Sequence, residues 1–93
     1  MYHIEAATPL DEAQIRLRFR DGFEGEVSVR SLIERGGVFA FLKDPARFQE
    51  LRIAEDGRWI YWQDLEGDQV DLCADALRFE AEARAVDALA AAE

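Results

Sequence analysis

The amino-acid sequence predicts an α+β fold: a small antiparallel sheet of two hairpins plus an N-terminal strand, short helices between them and a C-terminal helix. Two Asp-Gly pairs, Asp21-Gly22 and Asp56-Gly57, each lie between segments in which apolar and polar residues alternate. That pattern is typical of β-hairpins, because Asp-Gly favours a tight turn. Residues 74–93 instead repeat apolar residues at helical spacing. With 93 residues, the chain has room for one domain rather than two.

The first strand is predicted over Tyr2 to Ala7, where apolar and polar residues alternate. Thr8 to Glu12 contains proline and acidic residues that are typical of a turn. The next strand directs three apolar residues towards the core, Ile15, Leu17 and Phe19. The residues between and after them, Arg16, Arg18 and Arg20, are directed outwards.

The first hairpin needs one residue more than a two-residue turn provides, because that turn would set Leu17 opposite Glu26. We therefore expect a bulge or a widened turn at Glu24-Gly25. The resulting register pairs Leu17 with Val27. It also sets Arg18 opposite Glu26, and we expect cross-strand ion pairs rather than a phosphate site from the outward arginines.

Short helical segments are expected between the two hairpins. Gly36-Gly37 ends any helix before it, and the apolar segment Val38 to Leu42 predicts a helical turn packed on the sheet. Asp44-Pro45 provides an N-cap followed by proline at the first helical position. A short helix is therefore predicted from Pro45 to Gln49, with Phe48 directed inwards.

The second hairpin, Leu51 to Trp62, is the segment around which we expect the rest of the chain to be organised. Asp56-Gly57 predicts a two-residue turn with both residues at positive φ. The face of this hairpin that is apolar enough to form core consists of Leu51, Ile53, Ile60 and Trp62. The second face consists of Arg52, Ala54, Trp59 and Tyr61. The second face is either covered by a helix or offered to a partner.

The final helix is expected from about Ala74 to near Ala91, after a last short strand at Val70 and Leu72. Its apolar stripe advances by alternating steps of four and three residues, and consists of Leu72, Ala76, Phe79, Ala83, Val86 and Ala90, widened by Leu77 and Leu89. We expect the first turns, through Phe79, to dock on the sheet. The rest either frays, packs against another copy or a partner helix, or packs further up the sheet.

Several of these residues together resemble a known family, namely Phe19-x-Asp21-Gly22, Phe41-Leu42-x-Asp44 with Phe48, then Gly57, Ile60 and Trp62, and Asp71-Leu72 with Asp75-x-Leu77. That family is a bacterial domain of unknown function, number 2442, and the resemblance covers about residues 2–80. It implies a small α+β domain without established catalytic residues. Some relatives resemble components of small toxin–antitoxin-like gene pairs, and others look to carry a helix-turn-helix after this domain.

Residues 1–80 are therefore interpreted as the family-like domain, and residues 74–93 as a C-terminal helix and tail of the same single domain. We expect no helix-turn-helix after residue 80, and Gln63 to Asp68 departs from the family pattern. Residues 64–93 also carry nine acidic and two basic residues, which is −7 of the net charge of −9. Because phosphate binding needs clustered Lys and Arg, we expect no direct nucleic-acid binding. The acidity fits either a basic partner or simple solubility.

Catalytic and metal sites find little support in the sequence. One histidine, His3, and one cysteine, Cys73, do not build a catalytic triad or a common zinc site, and we expect Cys73 to behave as a small buried apolar residue. The acidic segment Asp64 to Asp71 lacks the glycine position of an EF-hand loop, so we expect a solvated loop. The sequence thus predicts a protein that is not an enzyme and has no cofactor and no metal.

The N-terminus lacks a secretion signal, and no apolar segment approaches the roughly 18–20 residues of a membrane span, so we expect a cytoplasmic protein without membrane contact. The first functional hypothesis is a non-catalytic interaction or regulatory module that binds a protein partner or a second copy. Its candidate surface is Arg52, Trp59 and Tyr61, or the tail helix with Val86 and Leu89. The alternative is a small-ligand-binding domain with a pocket between the sheet and the segment that carries Phe39, Phe41 and Phe48.

Overall fold

The computed structural model describes residues 1–92, and of these residues 88 and 90–92 are described only by their place in the last helix. Six strands and their connecting helices follow in the order β1 Ile4–Leu10, β2 Gln14–Phe19, β3 Glu24–Ser28, α1 Arg30–Arg35, a 3₁₀ helix Gly37–Lys43, α2 Pro45–Phe48, β4 Arg52–Ile53, β5 Trp59–Gln63, β6 Gln69–Cys73 and α3 Ala74–Ala92. The strands form two three-stranded antiparallel sheets, β1-β2-β3 and β4-β5-β6. The expected small α+β fold is therefore confirmed. None of the helices within residues 1–92 is both long and apolar enough to cross a membrane.

One apolar core joins the two sheets and the helices. Its largest fully buried side chains come from the inward positions predicted for both hairpins, namely Ile15, Leu17, Phe19, Ile60 and Trp62. The Trp62 ring stacks on Phe48 with the ring centroids 5.8 Å apart, and Trp62 Nε1 donates a hydrogen bond of 3.0 Å to the Phe48 carbonyl oxygen. This bond satisfies the one polar atom of a buried indole, so α2 is fixed against β5.

The first strand is longer than predicted. The residues expected to form a turn, Thr8 to Leu10, continue β1, and Pro9 pairs with Ile15 of β2. Proline is tolerated there because β1 is an edge strand of its sheet and the missing amide donor is not needed for an inner ladder. The turn lies at Asp11 to Ala13 instead, and Glu12 and Ala13 adopt φ values of 62° and 60° there.

The register of the first hairpin differs from the prediction by two residues. Leu17 pairs with Gly25 rather than Val27, because the extra residue lies in a three-residue loop, Arg20 to Gly22, and not at Glu24-Gly25. A shift of two leaves every side chain on its predicted face. Gly25 has a different role, since a Cβ at this position would lie 3.1 Å from Phe23 Cε1 and 3.2 Å from Ala81 Cβ, so glycine leaves room for the Phe23 ring and for α3.

The outward arginines of β2 form the expected ion pairs across strands. Arg16 pairs with Glu26 at 3.0 Å, and Arg18 pairs with Glu5 of β1 at 2.9 Å rather than with the predicted Glu26. The change of partner for Arg18 follows from the shifted register.

The second hairpin has the predicted register but a different turn. Ile53 pairs with Ile60, and Arg52 pairs with Tyr61, as expected. Of the two turn residues only Gly57 has a positive φ, 76°, so the expectation for Asp56 is wrong. The loop contains four residues rather than two, because the hydrogen bond that closes it runs from the Ala54 amide to the Trp59 carbonyl oxygen.

Helix α3 docks through a side that shares only Leu77 with the predicted apolar stripe. Among the side chains of α3 that the structure describes, Ala74, Leu77, Arg78 and Ala81 are buried, whereas Phe79, which was expected to dock, is 72% exposed. The helix is rotated because the guanidinium of Arg78 lies 4.1–5.0 Å from the ring centroids of Tyr2, Phe19 and Phe23. Such cation–π contacts, together with the ion pairs of Arg78 to Asp21 and Glu82, compensate the burial of the charge.

The turn at Gly57 is packed directly against the start of β1. The Ile4 amide donates a hydrogen bond of 2.7 Å to the Gly57 carbonyl oxygen. A Cβ on Gly57 would lie 2.5 Å from the Ile4 carbonyl oxygen, which is too close for any side chain. This backbone contact connects the second sheet to the first.

The Gly57→Ala variant is expected to lower the free energy of unfolding by about 3 kcal/mol or more, because the new methyl group collides with the Ile4 backbone. Gly67→Ala is the matched control: Gly67 also has a positive φ, 87°, but nothing lies within 4 Å of the position that a Cβ would take there. The control should lose only about 1 kcal/mol. Urea unfolding of both variants measures the difference, and equal losses would contradict the packing argument.

The Asp21 carboxylate makes stability depend on pH. Its pKa is lowered chiefly by the hydrogen bond from the Phe23 amide; partial desolvation acts in the opposite direction, and Arg78 lowers the pKa further. A lowered pKa in the folded state stabilises the fold above the unfolded pKa, and this stabilisation is lost as pH falls through the folded pKa.

The difference in unfolding free energy between the wild type and Asp21→Asn should therefore be largest above about pH 4 and shrink towards lower pH. Denaturant titrations of both proteins at several pH values measure this difference. A difference that stays constant down to low pH would show that the Asp21 charge does not contribute.

Candidate interaction surface

The outward side of the second sheet carries two aromatic residues on its central strand. Because side chains alternate along β5, the burial of Ile60 and Trp62 directs Trp59, Tyr61 and Gln63 to the opposite side. Strands β4 and β6 extend this side on both flanks. We call it the outer face, and it consists of Arg52, Trp59, Tyr61, Gln63, Gln69, Asp71 and Cys73.

Most of the outer face is in contact with solvent. Trp59 is 36% exposed and Tyr61 is half-buried, while the flanking side chains Arg52, Asp71 and Cys73 are exposed. The face is therefore not covered by α3, which was one of the two arrangements that the sequence left open. The side chains lie on regular strands, so their directions are set by the ladder and not by a loop.

A row of three side chains crosses the outer face from strand to strand. Tyr61 pairs with Arg52 of β4 on one side and with Asp71 of β6 on the other. A cationic and an anionic group thus stand on either side of an aromatic ring. In the next row, Trp59 pairs with Cys73, so the two aromatic residues lie on one side of the same strand.

The other two predicted surface residues do not join this face. Val86 and Leu89 lie on α3 and are 63% and 70% exposed. Helix α3 begins directly after β6, and Val86 lies about 18 Å along the helix from its first residue, at 1.5 Å per residue. The structure therefore brings Arg52, Trp59 and Tyr61 together and leaves Val86 and Leu89 on a separate surface.

Three residues of these surfaces were missed at the sequence level. Asp71 and Cys73 join the outer face through the β5–β6 register, which the sequence did not address. Cys73 is exposed rather than buried as expected, and its Sγ lies 3.4 Å from the Ala76 amide at the start of α3. Phe79 was assigned to the core and is instead exposed. The sequence did contain a signal for this, because Ala74, Leu77 and Ala81 also follow helical spacing and could have been predicted as the buried side.

The titratable groups near the start of α3 hold the fold together. The pKa of Asp75 is lowered, first by the hydrogen bond from Arg58 and then by the one from the Tyr2 amide. Burial alone would lower the pKa of Arg78, but its hydrogen bonds to Glu82 and Asp21 outweigh that effect and raise it. These shifts arise from ion pairs and hydrogen bonds within α3 and between elements, which is sufficient to explain them without a catalytic role.

The acidic loop after β5 organises its own backbone. Asp64 Oδ1 accepts hydrogen bonds of 2.9 Å from the amides of Glu66 and Asp68, and Gly67 takes the positive φ that closes the turn. Among the residues described, no group of three His, Cys, Asp or Glu side chains is placed to hold a metal ion. The Asp64 carboxylate is thus engaged in a local turn.

A surface groove of about 350 Å³ lies between the β1–β2 turn and the short helices. It is at the small end of the range of ligand pockets. Two of its charged lining residues, Arg30 and Glu34, are exposed and pair with each other at 2.9 Å. The three aromatic residues considered for a ligand pocket, Phe39, Phe41 and Phe48, pack within or against the core.

Comparisons with known proteins give one match. A family model described as "Protein of unknown function (DUF2442)" matches residues 4–83, which include all six strands and the first half of α3. The comparison with curated proteins and the comparison with solved structures gave no match. Since the family model covers most of the chain, the protein belongs to the DUF2442 family of proteins of unknown function.

Proposed function

We propose that this chain is a non-catalytic protein-interaction or regulatory module that recognises a protein partner through its outer face. The observation that carries the proposal is the exposure of Trp59 beside Tyr61 on the central strand of a sheet side without a covering helix. Neighbouring exposed apolar side chains that form a patch, rather than single ones, mark interaction sites on protein surfaces. Trp, Tyr and Arg are also the residues that dominate binding energy at protein interfaces.

The charge pattern of the outer face supports recognition of a partner in a defined orientation. Arg52 and Asp71 stand on opposite sides of Tyr61, so a partner with the complementary charges is bound in one orientation. The inward anchors Ile60 and Trp62 are fully buried and keep β5 in place. Little conformational entropy is therefore lost when the aromatic side chains are covered.

The positions of the candidate nucleophiles and bases favour binding over catalysis. His3, the one histidine, donates through Nδ1 to the Asp56 carbonyl oxygen at 2.7 Å, and so belongs to the contact between the two sheets. Cys73, the last residue of β6, pairs with Trp59 on the outer face. The ligand-binding alternative is weaker, because the three aromatic residues assigned to its pocket, Phe39, Phe41 and Phe48, pack within or against the core. A toxin–antitoxin-like role, as implied by the family resemblance, would be one form of this proposal.

The test is affinity capture from a cell extract with the wild type and the separate variants Trp59→Ala and Tyr61→Ala. We expect at least one protein to be recovered by the wild type and lost with Trp59→Ala, because truncating an aromatic anchor typically costs more than about 2 kcal/mol of binding. Quantitative mass spectrometry of the captured proteins measures the loss.

Val38→Ala is the control, because Val38 is an exposed apolar side chain, 67% exposed, that lies on the 3₁₀ helix and is not part of the outer face. It should retain the same partner. Urea unfolding verifies that each variant remains folded. Recovery of identical proteins by all variants would refute the outer face as the recognition surface. Light scattering over a concentration series tests the form of the proposal in which the partner is a second copy.

A further inference from the structure

Helix α3 has two apolar sides, and the domain uses only one of them. The buried side consists of Ala74, Leu77, Arg78 and Ala81 and packs on the core. On the opposite side, four of the apolar residues whose side chains are described are exposed and advance by steps of three, four and three: Ala76, Phe79, Ala83 and Val86. This is the spacing of the a and d positions of a coiled-coil seam.

The positions that flank this seam are all carboxylates from Asp75 to Asp87. With Ala76 and Ala83 at a, the e positions are Glu80 and Asp87, and the g positions are Asp75 and Glu82. The two arginines of the helix fall at b and c, away from the seam. Residues at e and g face the partner helix and select it by charge.

The arginines of α3 are also occupied by other contacts. Arg78 is buried against aromatic rings, and Arg84 donates to Gln14 Oε1 at 3.1 Å. Asp75 pairs with Arg58, and Glu82 pairs with Arg78. Within residues 1–92, neither Glu80 nor Asp87 has a cation at ion-pair distance, so the two e positions retain free negative charge.

We propose that the seam of α3 binds an amphipathic helix of a basic protein partner, with apolar residues at its a and d positions and Lys or Arg at e and g. A second copy of this chain is the wrong occupant, because it would place carboxylates opposite carboxylates. The chain's net charge of −9 adds to that repulsion. This surface is separate from the outer face and stands independently of the function proposed above. Val86 and Asp87 lie beyond the residues matched by the family model.

The probe is a synthetic peptide of about three heptads with Leu at a and d and Lys at e and g. It should bind the full chain with an affinity that falls as salt is added, since ion pairs at the rim of the interface are screened. Phe79→Ser and Val86→Ser should each weaken binding by about tenfold or more. Fluorescence anisotropy of a labelled peptide measures the dissociation constants.

Leu65→Ser is the matched control, because Leu65 on the β5–β6 loop is 71% exposed and Phe79 on α3 is 72% exposed. It should leave binding unchanged. The double variant Glu80→Gln and Asp87→Asn should weaken binding and reduce its salt dependence. A peptide of the same composition in scrambled order tests whether any basic peptide is attracted to an acidic protein, and a peptide with Glu at e and g should not bind.

Four outcomes would overturn the proposal. They are no binding by the wild type, equal binding by Phe79→Ser and the wild type, equal binding of the scrambled peptide, and tight binding of the acidic peptide. Sedimentation equilibrium adds a fifth, since a dimer that Phe79→Ser dissociates would make a second copy the occupant. Failure of the aromatic variants in affinity capture affects only the outer face, so the two proposals fail separately.

Discussion

The backbone contact between Gly57 and Ile4 is the constraint on which the rest of the molecule depends. The two sheets share no strand, and this contact brings the turn of the second hairpin against the first residue of β1. His3 and Arg58 reinforce it by hydrogen bonds to the Asp56 and Tyr2 carbonyl oxygens. Glycine is required because no Cβ fits between the two backbones. With the sheets fixed in this way, their inner sides form one core and the outer face is directed to solvent.

The placement of α3 follows from that junction. The helix begins immediately after β6, and the Ala74 amide donates to the Arg58 carbonyl oxygen, next to the Gly57 turn. Arg78 then fixes the rotation of the helix by its contacts with three aromatic rings, each worth about 0.5–2 kcal/mol in general. A different rotation would bury Phe79 and expose Arg78. The junction and the arginine together decide which helix side meets the solvent.

Local pattern predicted the core of both hairpins but not their loops. Alternation identifies inward residues such as Leu17 and Trp62, and a register shift of two residues leaves that assignment intact. The loop lengths did not follow from the Asp-Gly pairs, since the first loop has three residues and the second has four. The aromatic side of the second hairpin was likewise identified from the pairing of Arg52 with Tyr61. Its exposure was not predictable, because it depends on where α3 packs.

The side of α3 that carries Phe79 and Val86, whose first turns were predicted to dock on the sheet, is instead exposed. Single exposed apolar residues are ordinary on protein surfaces and need no explanation. Those of α3 are different, because Phe79 and Val86 repeat with the spacing that normally marks a buried helix side, and carboxylates border them on both flanks. The domain buries another side, since Arg78 has aromatic and acidic partners that Phe79 would not satisfy. A helix with two apolar sides, one of them docked, is already ordered before a partner arrives. Binding on the free side therefore does not require helix nucleation, which is the usual obstacle for a short helix.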